Sequence, residues 1–209
     1  MCNGPVPCDD CHLEIRDAGQ RRVLMVLLAI NAAMFLAEMT LGIVADSSGL
    51  IADSLDMLAD AFVYGISLYA VGRAASQKTR AARLSGIFQV VLALGMAADV
   101  MRRIVFGSEP VSALMMGVGT LALVANVACL MLISKHRSGG VHMRASWIFS
   151  TNDVLANLGV IAAGALVWAT GLRWFDYAIG LVIFALVLRG GFAILREARE
   201  EEEAAQAKT

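Results

Sequence analysis

The chain has 209 residues, of which 58% are hydrophobic and 17% are charged, and its mean hydropathy is +0.69. A soluble domain of this length carries more charge and shorter apolar runs, so the composition excludes a soluble globular protein and predicts an all-α integral membrane protein. The net charge of −1 does not indicate a particular partner. We expect the chain to be embedded in the lipid bilayer and not to bind nucleic acid.

Six apolar runs are each long enough to cross about 30 Å of hydrocarbon as a helix. They cover residues 23–45, 48–71, 84–105, 111–134, 147–170 and 174–195. The loops between them are short, so the sequence predicts one bundle of six transmembrane helices in which consecutive helices are antiparallel. This transmembrane domain, 23–195, lies between an N-terminal tail, 1–22, and a short charged tail, 196–209. The polar start and the long first run predict a retained signal anchor rather than a cleaved signal peptide.

Lysine and arginine are concentrated on one side of the predicted bundle. They precede helix 1, separate helix 2 from helix 3 and helix 4 from helix 5, and follow helix 6. The opposite side has only Arg102, Arg103 and Arg173. Because positive charge favours the cytoplasmic side, we expect both termini in the cytoplasm.

Three aspartates interrupt the second apolar run: Asp53, Asp56 and Asp60. At about 100° per residue, they fall within roughly 60° on one helix face. Carboxylates within a membrane are costly and typically mark an ion or proton pathway. Since they repel one another, they must bind a cation or take up protons. Asp56 and Asp60 are spaced to hold one divalent cation, with Asp53 as a third ligand or as a hydrogen-bonding residue near the outer end of the helix.

Helix 5 repeats this spacing with Asp153 and Asn157. Helices 2 and 5 run in opposite directions, so their polar faces can meet near the middle of the membrane. This predicts a four-ligand metal site of Asp56, Asp60, Asp153 and Asn157.

The sequence indicates the roles of other polar residues in the apolar runs less clearly. Glu38 on helix 1 is interpreted as a proton carrier, a residue that supports the metal ligands, or a structural acid. Asn31 and Asn126 are expected to form hydrogen bonds between helices. Asp99 is expected to pair with Arg102 or Arg103.

The N-terminal tail contains a second group of potential metal ligands, namely Cys2, Cys8, Cys11 and His12. Thiolate and imidazole ligands suit soft metals, so a small cytoplasmic metal site is one interpretation and a reduced, metal-free tail is the other. The pattern from Cys8 to His12 also matches the haem-attachment motif C-x-x-C-H. Haem attachment requires an exported segment, and the charge distribution predicts a cytosolic one.

The segment 35–60, FLAEMTLGIVADSSGLIADSLDMLAD, resembles the helix 1–2 signature of the cation diffusion facilitator family of metal/proton antiporters. The matching positions are Glu38, Gly42, Ala52-Asp53 and the pair Asp56-x-x-x-Asp60. The segment from Arg144 to Asp153-x-x-x-Asn157 is similar to the family's helix 5 signature. The resemblance covers approximately residues 21–198.

The resemblance implies that Asp56, Asp60 and Asp153 are transport-site ligands. It also implies export of a divalent transition metal from the cytoplasm in exchange for protons. Zinc is the first candidate, and cadmium, cobalt, iron and manganese are alternatives. The metal is the substrate and no cofactor or enzymatic activity is expected. A homodimer in a bacterial inner (plasma) membrane is the expected state.

Three departures from the family pattern bear on this interpretation. Phe149 stands where the family usually has His or Asp, so the fourth ligand would be solvent, Asn157 or Ser150. Asp56 stands where many zinc transporters of the family have His, which makes the site harder. The family's usual C-terminal cytoplasmic domain does not follow helix 6. The alternative is therefore a non-transporting metal-binding partner of a related transporter. An enzyme of the CDP-alcohol phosphotransferase type is disfavoured because its upstream Asp-Gly-x-x-Ala-Arg motif is missing.

Overall fold

The computed structural model describes residues 9–70, 75–134 and 141–206, and every regular element in these ranges is an α-helix. The helices are α1 (Asp9–Val44), α2 (Ser48–Ala70), α3 (Ala75–Phe106), α4 (Ser112–Ser134), α5 (Val141–Thr170) and α6 (Trp174–Gln206). The predicted all-helical fold with six helices is therefore confirmed.

Five of these helices are long and apolar enough to cross a membrane, judged over the described residues. The five spans are Arg21–Val44, Ala82–Phe106, Ser112–Ser134, Thr151–Thr170 and Trp174–Glu200. The exception is α2, which has the same length as α4, 23 residues, but carries three aspartates. At 1.5 Å per residue, α2 is about 35 Å long, which is enough to span the hydrocarbon layer. It differs from the other helices in its charge and not in its ability to cross a membrane.

Four helices continue beyond the predicted apolar runs. α1 begins at Asp9, α3 at Ala75 and α5 at Val141, and α6 continues to Gln206. Hydropathy marks where a helix leaves the hydrocarbon, whereas charged helix-forming residues can prolong the same helix in water. At the end of α6, ion pairs one turn apart support the extension: Arg196 with Glu200 and Arg199 with Glu203, each at 2.8 Å.

The α1–α2, α3–α4 and α5–α6 connections meet at one end of the bundle, here called the turn end. The amide of Val111 donates to the carbonyl of Ala45 at 2.8 Å, and the guanidinium of Arg173 donates to the carbonyl of Ser108 at 3.2 Å. Consecutive helices are therefore antiparallel, as predicted, and α2 begins at the end where α5 finishes.

A buried arginine at the turn end links α3 to the α1–α2 connection. Arg103 is 2% exposed and pairs with Asp99 on its own helix at 2.8 Å and with Asp46 in the α1–α2 connection. Its neighbour Arg102 pairs with the same Asp99 at 3.0 Å but is 56% exposed. The predicted salt bridge of Asp99 thus involves both arginines.

α2 is the central helix, because it packs against each of the other five. Around it, α3 and α6 approach closely at Gly86 and Gly191, where a Cβ atom on Gly191 would lie 3.2 Å from the carbonyl oxygen of Gly86. Large apolar side chains on the outside of the bundle are exposed, including Leu36, Val105, Phe106, Val124 and Trp168. This arrangement suits a bundle surrounded by lipid, and its interior can shelter the acids of α2.

Candidate metal centre

Three carboxylates from two helices converge inside the bundle. Asp56 and Asp60 on α2 and Asp153 on α5 each offer an oxygen atom, and these atoms all lie within 4.8 Å of one another. Metal–oxygen bonds are about 2.0–2.6 Å long, so two oxygens on one ion lie at most about 4–5 Å apart. The three carboxylates therefore have the spacing to hold one divalent cation after at most a small closing movement.

Local helix geometry positions these three side chains. Asp56 and Asp60 are four residues apart, so successive turns of α2 bring them to the same face. The hydroxyl of Tyr64, one turn further on, donates to Oδ2 of Asp60 at 3.2 Å. Asp60 and Asp153 are 6% and 8% exposed, and Asp56 is partly buried. Three acids sheltered from water at such short distances require a cation or protons to offset their charge.

The pocket around these acids contains residues that the sequence interpretation assigned elsewhere. It is lined by Asn31, Asp53, Asp56, Met57, Asp60, Asn126 and Asp153. Asn31 and Asn126 were expected to form hydrogen bonds between helices. Asn31 does so, since its Nδ2 donates to Sγ of Cys129 on α4 at 4.0 Å, and both asparagines also line the pocket. For Asn31 a signal existed in the sequence, because Glu38 follows it by seven residues and two turns of helix place both on one face of α1.

Asp53 and Glu38 form a second acidic pair next to the pocket. Both side chains are buried, Glu38 being 0% and Asp53 1% exposed. Neither oxygen of Glu38 has a hydrogen-bond donor in the described part of the chain. Asp53 also lines the pocket, but it is not one of the three converging acids.

Asn157, the fourth predicted ligand, is fully buried one turn beyond Asp153 on α5. Its Nδ2 donates to the backbone carbonyl of Asp153 at 2.7 Å, and its Oδ1 has no donor among the described residues. It is not among the side chains that line the pocket. Its assignment as a ligand stays a prediction.

Several predicted site residues fall outside what the structure describes. Cys2 and Cys8 precede the described ranges, and the side chains of Cys11 and His12 on α1 and of Phe149 and Ser150 on α5 are not described. The predictions of an N-terminal metal site and of Ser150 as a ligand remain predictions.

The start of α2 is held by a buried acid from α6. The carboxylate of Asp176 accepts hydrogen bonds from the Ser47 hydroxyl at 2.6 Å, the Ser48 amide at 2.6 Å and the Gly49 amide at 3.0 Å. Ser47 precedes the helix, and its hydroxyl oxygen accepts from the Leu50 amide at 3.1 Å. The amides at a helix start otherwise lack partners, and a negative charge there is favourable. Asp176 therefore fixes the helix that carries Asp56 and Asp60, a role that its sequence position did not reveal.

Comparison with known proteins identifies the family of this bundle. The family model described as "Cation efflux transmembrane domain" matches residues 24–201. The "Metal cation efflux system protein CzcD" of Cupriavidus metallidurans is 27% identical over 197 residues, covering 88% of this chain and 62% of that protein. The "Zinc transporter ZitB" of Pectobacterium atrosepticum is 26% identical over 200 residues, with the same coverage of 88% and 62%.

A third relative matches a shorter part. The "Cadmium, cobalt and zinc/H(+)-K(+) antiporter" of Bacillus velezensis is 24% identical over 119 residues, which cover 56% of this chain and 38% of that protein. The chain thus spans less than two thirds of the length of these relatives. The family model, however, matches most of the chain and includes all three converging acids. The chain therefore belongs to the cation diffusion facilitator family, a family of membrane transporters and not of enzymes.

Proposed function

We propose that this protein exports divalent transition-metal cations from the cytoplasm in exchange for protons, with zinc as the first candidate. The observation that carries the proposal is the convergence of Asp56, Asp60 and Asp153 within 4.8 Å inside a bundle of the cation efflux type. The relatives named for metal efflux, zinc, cadmium and cobalt support the choice of cargo.

The charges at the site provide a mechanism for exchange. Three ionised carboxylates carry a charge of −3, so the site keeps a net charge of −1 when a divalent cation is bound. Metal and protons compete for the same oxygens, because a carboxylate must lose its proton to bind the ion. A metal ion that enters from the cytoplasm displaces protons. After the bundle opens to the other side, incoming protons release the metal.

The orientation and assembly are part of the proposal. The excess of lysine and arginine opposite the turn end favours cytoplasmic termini in a bacterial plasma membrane. The turn end would then face outward, and metal would leave towards it. A homodimer through the membrane helices is the proposed assembly.

Transport into proteoliposomes tests this function. Purified protein is reconstituted and uptake of radioactive zinc is measured with a proton gradient across the membrane. Asp60→Asn retains the shape of the side chain but removes the charge, so we expect uptake to fall to the level of protein-free liposomes. The control is Glu197→Gln, which changes an exposed acid on α6 and should transport like the wild type.

The same assay distinguishes the second candidate function. Phe149, in place of the usual ligand, favours a partner subunit that binds metal without moving it. Wild-type protein that binds zinc in detergent but gives no uptake in any gradient would support that alternative and refute transport. Equal zinc uptake by the wild type and Asp60→Asn would refute the assignment of Asp60 to the transport site.

A further inference from the structure

We propose that the side-chain oxygen of Asn31 is a fourth protein ligand of the cation held by Asp56, Asp60 and Asp153, and that this all-oxygen set favours Mn²⁺ relative to Zn²⁺ compared with the carboxylates alone. The proposal rests on the metal-transport function above and deepens it, because it names a residue that selects the cargo.

The hydrogen bonds of Asn31 determine which of its atoms is free. The side chain is 2% exposed and lines the pocket with the three acids. Its Nδ2 donates to the carbonyl of Leu27 at 2.9 Å, an acceptor that only the NH₂ group can satisfy. The Oδ1 atom has no hydrogen-bond donor in the ranges that the structure describes. A buried carbonyl oxygen without a donor is costly unless a ligand satisfies it, and a cation beside three carboxylates would do so.

The other asparagines near the acids fit this role less well. Asn126 lines the same pocket, but its fully buried atom without a hydrogen-bond partner is Nδ2, which is a donor and cannot bind a cation. Asn157 has an unpartnered Oδ1, but it does not border the pocket. Of these three, Asn31 is the one that lines the pocket and has a fully buried side-chain oxygen without a donor among the described residues.

Coordination chemistry links this oxygen to metal choice. Zinc is usually held by four ligands and accepts three carboxylates with one water, whereas manganese prefers a larger, all-oxygen shell. An amide oxygen adds a ligand without adding negative charge. Its loss should therefore weaken manganese binding more than zinc binding, and an imidazole in its place should favour zinc.

Metal binding to the purified full-length protein in detergent tests the proposal. MnCl₂ and ZnCl₂ are titrated by calorimetry, and bound Mn²⁺ is checked by electron paramagnetic resonance. The variants are Asn31→Leu, Asn31→His and the control Gln89→Leu. Gln89 is also a buried amide with an unpartnered side-chain oxygen, 3% exposed on α3, but it lies outside the pocket. The Asp60→Asn variant measures zinc bound elsewhere, including at the N-terminal cysteines.

We expect Asn31→Leu to weaken Mn²⁺ binding about 10-fold or more and Zn²⁺ binding by less. Asn31→His should raise the ratio of zinc to manganese affinity, and Gln89→Leu should change neither affinity. Wild-type Mn²⁺ affinity in Asn31→Leu, or an equal loss of both metals, would overturn the proposal. If Asn31→Leu does not fold, an unchanged metal ratio in Asn31→His would do the same. Wild-type protein that binds neither metal at the pocket would instead refute the proposed function.

Discussion

Asp176 is predicted to be the side chain on which the placement of α2 most depends. It is 0% exposed and accepts three hydrogen bonds from the start of that helix. In Asp176→Ala the Ser47 hydroxyl can rotate to another acceptor, but the amides of Ser48 and Gly49 are left buried without one. At about 1–3 kcal/mol for each orphaned donor, the free energy of unfolding should fall by about 2–6 kcal/mol.

The Asp176→Asn variant refines this estimate. An amide oxygen in the position of Oδ1 keeps the bonds from Ser47 and Gly49 and loses the one from Ser48, so we expect a loss of about 1–3 kcal/mol. The assay is unfolding by sodium dodecyl sulfate in mixed micelles, followed by tryptophan fluorescence. Glu197→Ala on the exposed side of α6 is the control and should stay within about 0.5 kcal/mol of the wild type. A loss of unfolding free energy in Asp176→Ala no larger than in this control would show that Asp176 does not hold the start of α2.

Three further predictions follow from the packing and the charges. Arg103→Gln should lower the free energy of unfolding by about 1–3 kcal/mol in the same assay, because it removes a buried partner of two acids. The exposed Arg102 is the control, and Arg102→Gln should cost less than about 1 kcal/mol. Equal losses in the two variants would show that the burial of Arg103 does not strengthen its ion pairs. Gly191→Ala should cost about 1–3 kcal/mol because its Cβ would press on α3. Gly95→Ala, on the open side of α3, should be neutral or stabilising by about 0.5–1 kcal/mol. A Gly191→Ala variant as stable as the wild type would refute the close approach of α3 and α6. The affinity for Mn²⁺, measured by calorimetry, should rise with pH because protons and metal compete for the carboxylates; a pH-independent affinity would exclude these ligands.

The sequence could predict the parts of this structure that depend on local periodicity. Apolar runs and breakers located the six helices and their antiparallel order, and the four-residue spacing placed Asp56 and Asp60 on one face. The opposite direction of α5 then predicted a meeting with Asp153. Each of these inferences needs only the pitch of a helix and the thickness of a bilayer.

The remaining features depend on how each helix is rotated against its neighbours. Periodicity places Asn31 and Glu38 on one face of α1, but it cannot say that this face turns towards the acids of α2. The contact between Asp176 and Ser47 joins residues 129 positions apart, which no local pattern encodes. The ends of the helices beyond the apolar runs could not be predicted for another reason, because hydropathy reports the membrane boundary and not the end of backbone hydrogen bonding.

The central claim is that one divalent cation binds between α2 and α5, and anomalous X-ray diffraction from crystals of the manganese-loaded protein tests it most directly. The account predicts an anomalous peak at about 2.0–2.6 Å from carboxylate oxygens of Asp56, Asp60 and Asp153. The peak should be absent from crystals of Asp60→Asn. Manganese bound elsewhere in the bundle, with the three carboxylates free of metal, would contradict the account.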